Sequence, residues 1–160
     1  MAWRERGAHC PLVLAIPDTV QATLDAEFLD EAAAEAGCTR PAFSFELDER
    51  ALVKSGGALA QDLRARGWDV SLRADPACPL PFGARARALY SELVVDVPEN
   101  PSPYLAIDDD ATPLGRRILA ARGAGMVITA CNVRTVTQAK TLAMAGFDRG
   151  GGPFAEASLR

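Results

Sequence analysis

Short apolar runs alternate along this chain with longer stretches whose apolar residues recur every three or four positions. Leu12-Val13-Leu14-Ala15-Ile16 reads as a buried strand, broken by Pro17-Asp18-Thr19. From Val20 to Ala36 the spacing is helical, with Leu24, Phe28 and Leu29 set against Asp25, Glu27, Asp30 and Glu31, and Gly37 ends the helix. Phe43, Phe45 and Leu47 then alternate with Ser44, Glu46 and Asp48, which is the period of a strand. A helix follows from Ala51 to Arg66, weakened by Gly56-Gly57 and stopped at Gly67. Trp68 to Leu72 predicts a third strand, Ala84 to Tyr90 a short helix and Leu93 to Val97 a fourth strand. Thr112-Pro113 opens a helix to Arg122, with proline in the first turn. Gly125 to Ala130 predicts a fifth strand, Thr135 to Ala145 a helix, and Phe147-Asp148 at most a short sixth strand before Gly150-Gly151-Gly152.

Strands that are apolar on both faces and alternate with helices imply a parallel sheet covered by helices. A doubly wound open sheet and a barrel both satisfy that pattern. At 160 residues the length fits one domain. It is divided here into an N-terminal extension, residues 1–10, and an α/β domain, residues 11–160.

Composition narrows the function classes. The chain is 49% hydrophobic and 24% charged, ordinary for a globular protein, and its net charge of −4 gives no general attraction to nucleic acid. No apolar run is long enough to span a bilayer, and the charged start at Met1 lacks the apolar core of a signal peptide. Cys10, Cys38, Cys78 and Cys131 form no Cys-x-x-Cys pair, and His9 is the lone histidine. Reduced thiols in a cytoplasmic protein, with no zinc site and no cofactor, are expected.

Candidate chemistry gathers where strands end. Glu46, Asp48 and Glu49 close the second strand, and in a barrel of parallel strands the C-terminal ends face the substrate. The structural alternative is that Asp48 or Glu49 caps the next helix. Cys131 suits a small buried residue better than a nucleophile, since no histidine lies near it in sequence. Asp108-Asp109-Asp110 lacks the alternating ligands of a calcium loop, and the glycine tract at Gly150 lacks the Lys-Ser/Thr of a phosphate-binding loop.

Several of these segments, in the same order, resemble EAL domains, the bacterial cyclic-di-GMP phosphodiesterases. Glu46 and Glu49 fill the two acidic places of a strand ending in Glu-x-x-Glu. Leu93-Val94-Val95-Asp96 falls at a strand with Lys-Ile-Asp, and Ala130-Cys131-Asn132-Val133-Arg134-Thr135 at Ala-Glu-Gly-Val-Glu-Thr. Gln138, Leu142, Gly146, Phe147, Asp148 and Gly152 match the closing helix and loop. The likeness covers about two-thirds of the chain and starts at the family's third strand. It implies a parallel-strand, incomplete TIM-like (β/α) barrel of about six βα units.

The resemblance also implies a site and says what has changed in it. Glu46 is retained as a metal-ligand candidate, and Asp75 could replace one of two aspartates that fall at Arg73 and Ala74. Ala15 stands at a metal-binding asparagine, Val94 at the catalytic lysine, Cys131 and Arg134 at two glutamates and Gly151 at a glutamine. On that count no catalytic residue and no bound metal are expected. The reading is a degenerate, inactive EAL-like domain, not an enzyme, acting in signalling through a protein partner or a homodimer. Its alternatives are a cyclic-di-GMP receptor that does not hydrolyse the nucleotide, and a small α/β enzyme of unrelated chemistry. Glu46, Glu49, Arg73, Asp75 and Arg134 are the ligand-binding candidates. Self-association is expected through the first strand, whose apolar edge carries no lysine or internal proline to discourage pairing.

Overall fold

Among the described residues six strands form in chain order. In this computed structural model, residues 12–40, 43–50, 52, 57–74, 88–97 and 113–153 are described. They run β1 (Leu12–Ile16), α1 (Asp18–Gln21), α2 (Ala26–Glu35), β2 (Phe43–Asp48), α3 (Ala58–Ala65), β3 (Asp69–Arg73), β4 (Glu92–Asp96), α4 (Pro113–Gly123), β5 (Val127–Cys131), α5 (Val136–Met144) and β6 (Arg149–Gly150). The pairs β1/β2, β4/β5 and β5/β6 are parallel, and the strand order in the sheet is β1-β2-β3-β4-β5-β6. A doubly wound sheet reverses its order at a switch point. This one never does, so the architecture is that of an incomplete TIM-like (β/α) barrel, six strands against the eight of a closed one.

The chain divides into two compact units, Met1–Ser71 and Leu72–Arg160. The division expected between residues 10 and 11 falls outside the described residues, as do Asp75 and most of the helix expected at Ala84 to Tyr90.

In the first unit the core forms around aromatic rings. Phe43 and Phe45 project from one face of β2 and meet Trp68 just before β3. The three rings pack edge to face at centroid distances of 5.1, 5.9 and 5.3 Å. A buried indole needs a partner for its N–H, and Trp68 Nε1 donates to Asp30 Oδ1 of α2 at 2.8 Å. Asp30 is held in turn by Arg40 at 3.0 Å and Arg66 at 3.6 Å, and the Arg40 guanidinium lies 5.1 Å from the Trp68 ring centre. Leu29 and Ala33 of α2 and Leu59, Ala60 and Leu63 of α3 are also buried in this unit.

Three expectations are corrected in this unit. The helix expected from Val20 to Ala36 is two helices. Thr23 Oγ1 turns back to Val20 O, and Asp25 accepts the Glu27 N–H as the N-cap of a fresh start. Phe28, placed on the buried face by its spacing, is 61% exposed while its neighbour Leu29 is buried. The strand read as buried is an exposed edge. Leu12 is 66% and Leu14 44% exposed, and only Ile16 in β1 is buried. A continuous apolar run is compatible with a buried strand, and the sequence does not show what covers it.

The second unit buries Leu93 and Val95 of β4, Ile118 and Ala121 of α4, Ile128 and Ala130 of β5 and Leu142 of α5. The sixth strand is two residues later than expected because Phe147 and Asp148 are otherwise committed. Phe147 N–H donates to Leu142 O to close α5, and Asp148 bonds Ile128 through both its N–H and its carboxylate.

The aromatic cluster carries the first unit, and its loss is measurable. Trp68→Ala should lower stability by about 3–5 kcal/mol, the usual cost of emptying a large aromatic site. Trp68→Phe, which keeps a smaller ring and loses the bond to Asp30, should cost less, about 1–3 kcal/mol. Urea unfolding followed by circular dichroism separates the two. Equal losses would mean that the hydrogen bond outweighs the packing.

Candidate functional site

Parallel strands deliver their C-terminal ends to one face, and in (β/α) barrels that face carries the chemistry. In the second unit the ends of β3, β4 and β5 meet at Asp96. Arg73, the last residue of β3, donates from Nη1 to both Asp96 oxygens, at 2.7 and 2.8 Å. Asn132, just after β5, donates Nδ2 to Asp96 Oδ1 at 2.9 Å. The Arg73 and Asp96 side chains stay 31% and 41% exposed, so the pair is open to a solute.

The backbone around this cluster is tied in the same direction. Val97 N–H donates to Cys131 O at 3.0 Å, Gly151 N–H to Ala130 O at 2.8 Å, and Val133 N–H to Gly151 O at 3.0 Å. Asn132 adopts a left-handed φ of 63°, which asparagine tolerates better than most residues. Gly152, at φ 144°, passes so close that a Cβ on it would lie 2.6 Å from Val133 N and 2.7 Å from Val133 O. Thr135 and Gln138 cap α5 reciprocally, and Gln138 Oε1 also accepts from Arg134 N–H at 2.8 Å.

A second polar set lies lower on the same face of β4, where Glu92, Val94 and Asp96 project together by the two-residue period. Glu92 accepts a hydrogen bond from Thr129 Oγ1 and faces Arg149 Nη1 at 3.8 Å. Between the two sets sits Val94, fully apolar and buried.

In the first unit, Glu46 of β2 and Glu49 just beyond it are both buried, each 5% exposed. Asp48 does the capping that the sequence offered to either Asp48 or Glu49. Its Oδ1 accepts the Arg50 N–H at 2.8 Å and pairs with Arg50 Nε at 3.2 Å. Ser44, on the Glu46 face, has a buried hydroxyl with no partner among the described residues. A cleft of about 290 Å³ opens between residues 21–26 and the start of α3. Its Asp25 and Asp62 make it unsuited to an anion.

Of the candidates read from the sequence, Glu46 and Glu49 thus stand in the first unit and Arg73 and Arg134 in the second. Arg134 is exposed beside the start of α5. Asp75 lies outside the described residues. Sequence reasoning missed Asp96 and Asn132 as site residues. The available signals were an acidic residue ending an apolar strand and an asparagine at the end of the next. Among the described residues no group of three or more His, Cys, Asp or Glu is placed to hold a metal ion.

Solved structures with this architecture decide the fold family. One is the phosphodiesterase PaMucR in complex with c-di-GMP, at TM-score 0.70 and 17% identity, over 94% of this chain and 63% of that one. Another is the EAL enzyme Bd1971 in its cGMP-bound form, at TM-score 0.66 and 15% identity, over 90% and 39%. A third is the FimX EAL domain from Pseudomonas aeruginosa bound to c-di-GMP, at TM-score 0.63 and 15% identity, over 89% and 60%. The fold is that of an EAL domain. This chain therefore spans about 40–60% of the length of the structures it matches. No family model and no curated protein matches the sequence.

One expectation falls here. The reading that this EAL-like chain is not an enzyme is overturned, because the structures that share its fold include an EAL enzyme and a phosphodiesterase. That reading counted replaced positions one at a time along the chain. It gave no weight to polar groups that only folding gathers at the strand ends, Asp96 and Asn132 among them. No helix among the described residues is long and apolar enough to cross a membrane.

The close approach at Gly152 is testable by itself. Gly152→Ala forces Val133 or the 150–152 backbone to move, at a cost of about 1–3 kcal/mol for a strained backbone site. Amide hydrogen exchange should accelerate at Val133 and Gly151, whose bonds join this loop to β5. Unchanged protection there would mean that the loop absorbs the methyl group elsewhere.

Proposed function

We propose that this chain is an EAL-like domain of cyclic-di-GMP signalling that takes a cyclic dinucleotide at its strand C-terminal ends, with Arg73 as an anchor for a phosphodiester. The observation that carries the reading is the Arg73–Asp96–Asn132 cluster, open to solvent at the ends of β3, β4 and β5. A guanidinium presents planar N–H donors that match phosphate oxygens, and its charge persists at every physiological pH. Structures of the same fold hold c-di-GMP, which makes this the ligand class to test first. The comparison shows the fold, and the ligands of those structures support the choice of ligand class. The residues that would meet the ligand are argued from this chain alone.

Calorimetric titration with c-di-GMP, with and without magnesium, is the direct experiment, and chromatography of the same samples reads any cleavage. Binding should weaken about tenfold or more in Arg73→Ala, with a shallower salt dependence, because one charge-assisted contact is lost. Equal affinity in that variant would remove Arg73 from the site.

A second reading, association with another copy of this chain, is favoured by β1. This strand exposes Leu12, Val13 and Leu14, carries no charge and, among the described residues, pairs with β2 alone. Such an edge is a template for strand pairing, and an uncharged strand of this kind can pair with its own copy about a two-fold axis. Light scattering over a concentration series should then show a dimer that Leu14→Lys converts to monomer. A monomer at all concentrations before mutation would end this reading.

A further inference from the structure

Arg73 is already occupied by an anion, and that anion belongs to the protein. Its Nη1 lies 2.7 and 2.8 Å from the two oxygens of Asp96, which also receives Asn132 at 2.9 Å. A phosphate reaching Arg73 meets a fixed carboxylate that competes for the same donor and repels the incoming charge. Both side chains of the pair are partly exposed, and ion pairs of this kind are weak enough to exchange partners.

We propose that Asp96 is an internal competitor for the anion site, a latch that holds Arg73 in place of the phosphodiester and releases it when the ligand binds. This inference rests on the reading of Arg73 as a phosphodiester anchor and adds a residue that sets its affinity. Release of Asp96 has a second consequence. Asn132 donates to the same Asp96 oxygen that Arg73 uses, and Asn132 begins the loop tied to Gly151 and Gly152 through Val133. Ligand binding at Arg73 therefore alters a contact of the loop between β5 and α5. Three strand ends share one carboxylate, so the arrangement couples anion binding to the loop without any hinge motion.

Asp96→Asn isolates the charge. The amide oxygen can still accept from Arg73 and Asn132 in the place of Oδ1, while the second Arg73 contact, at Oδ2, is lost together with the competing charge. Affinity for c-di-GMP should rise about tenfold in Asp96→Asn, and the gain should vanish in the double variant with Arg73→Gln. Amide exchange at Val133 should change on ligand addition in the original protein and less in Asp96→Asn. An unchanged or weakened affinity in a folded Asp96→Asn, or a gain that persists without Arg73, overturns the latch. Asp96→Ser, which keeps an acceptor and removes the charge, serves if Asp96→Asn does not fold. Should neither the original protein nor Asp96→Asn bind c-di-GMP, the phosphodiester reading fails. The latch is then read with sulfate. A larger sulfate-dependent rise in melting temperature for Asp96→Asn than for the original protein sustains it, and an equal rise overturns it.

Discussion

Parallel pairing is the constraint on which the rest of this molecule depends. A parallel neighbour can be reached only by a crossover, so the chain must leave each strand at one end and return to the other. The outcome is that strand C-termini accumulate on a single face, and residues distant in sequence become neighbours there. Arg73 and Asp96 are 23 positions apart, and Asp96 and Asn132 are 36 apart. Each follows directly from where a strand stops. No local motif was needed to assemble them.

Asp96 turns that juxtaposition into structure. A carboxylate has lone pairs for several donors, and this one receives a guanidinium from one side and an amide from the other. Its backbone neighbour Val97 is tied to Cys131, and the next loop is tied through Val133 to Gly151. The strand ends are consequently held by side chains at their tips as well as by the ladder beneath. On the same strand face Val94 is apolar and Glu92 is satisfied by Thr129 and Arg149. Among the described residues of the second unit, Arg73, Asp96 and Asn132 bring three polar side chains together at the strand ends.

The first unit is built on a different principle. Phe43, Phe45 and Trp68 form an aromatic cluster whose indole N–H is anchored by Asp30, itself steadied by Arg40 and Arg66. Burial of large rings supplies the stabilisation, and the polar network gives the buried Trp68 indole N–H its partner. Phe28 and β1 remain exposed beside this core, so apolar surface is left over after the unit has folded.

Sequence by itself determined the elements: five apolar strands within a residue or two of their observed ends, the start of α5 at Thr135, and the alternation that implies parallel pairing. Those are local properties, set by side-chain period, glycine and capping chemistry. The resemblance of Glu46, Glu49 and the later segments to EAL domains was legible for the same reason, since order and spacing survive in a linear string. Arg73 could be placed at a strand end, yet its partner could not be named, because the pairing depends on the register of β3 against β4. The break at Thr23 and Asp25 was hidden by continuous helical spacing, and the sixth strand was displaced by hydrogen bonds from Phe147 and Asp148 to residues outside their own segment. The sequence placed β1 at an edge, but only the tertiary structure decided that four of its five residues are exposed and that Asp96 is the shared acceptor. Burial and charge pairing are properties of neighbours in space, and a parallel fold chooses those neighbours from far along the chain.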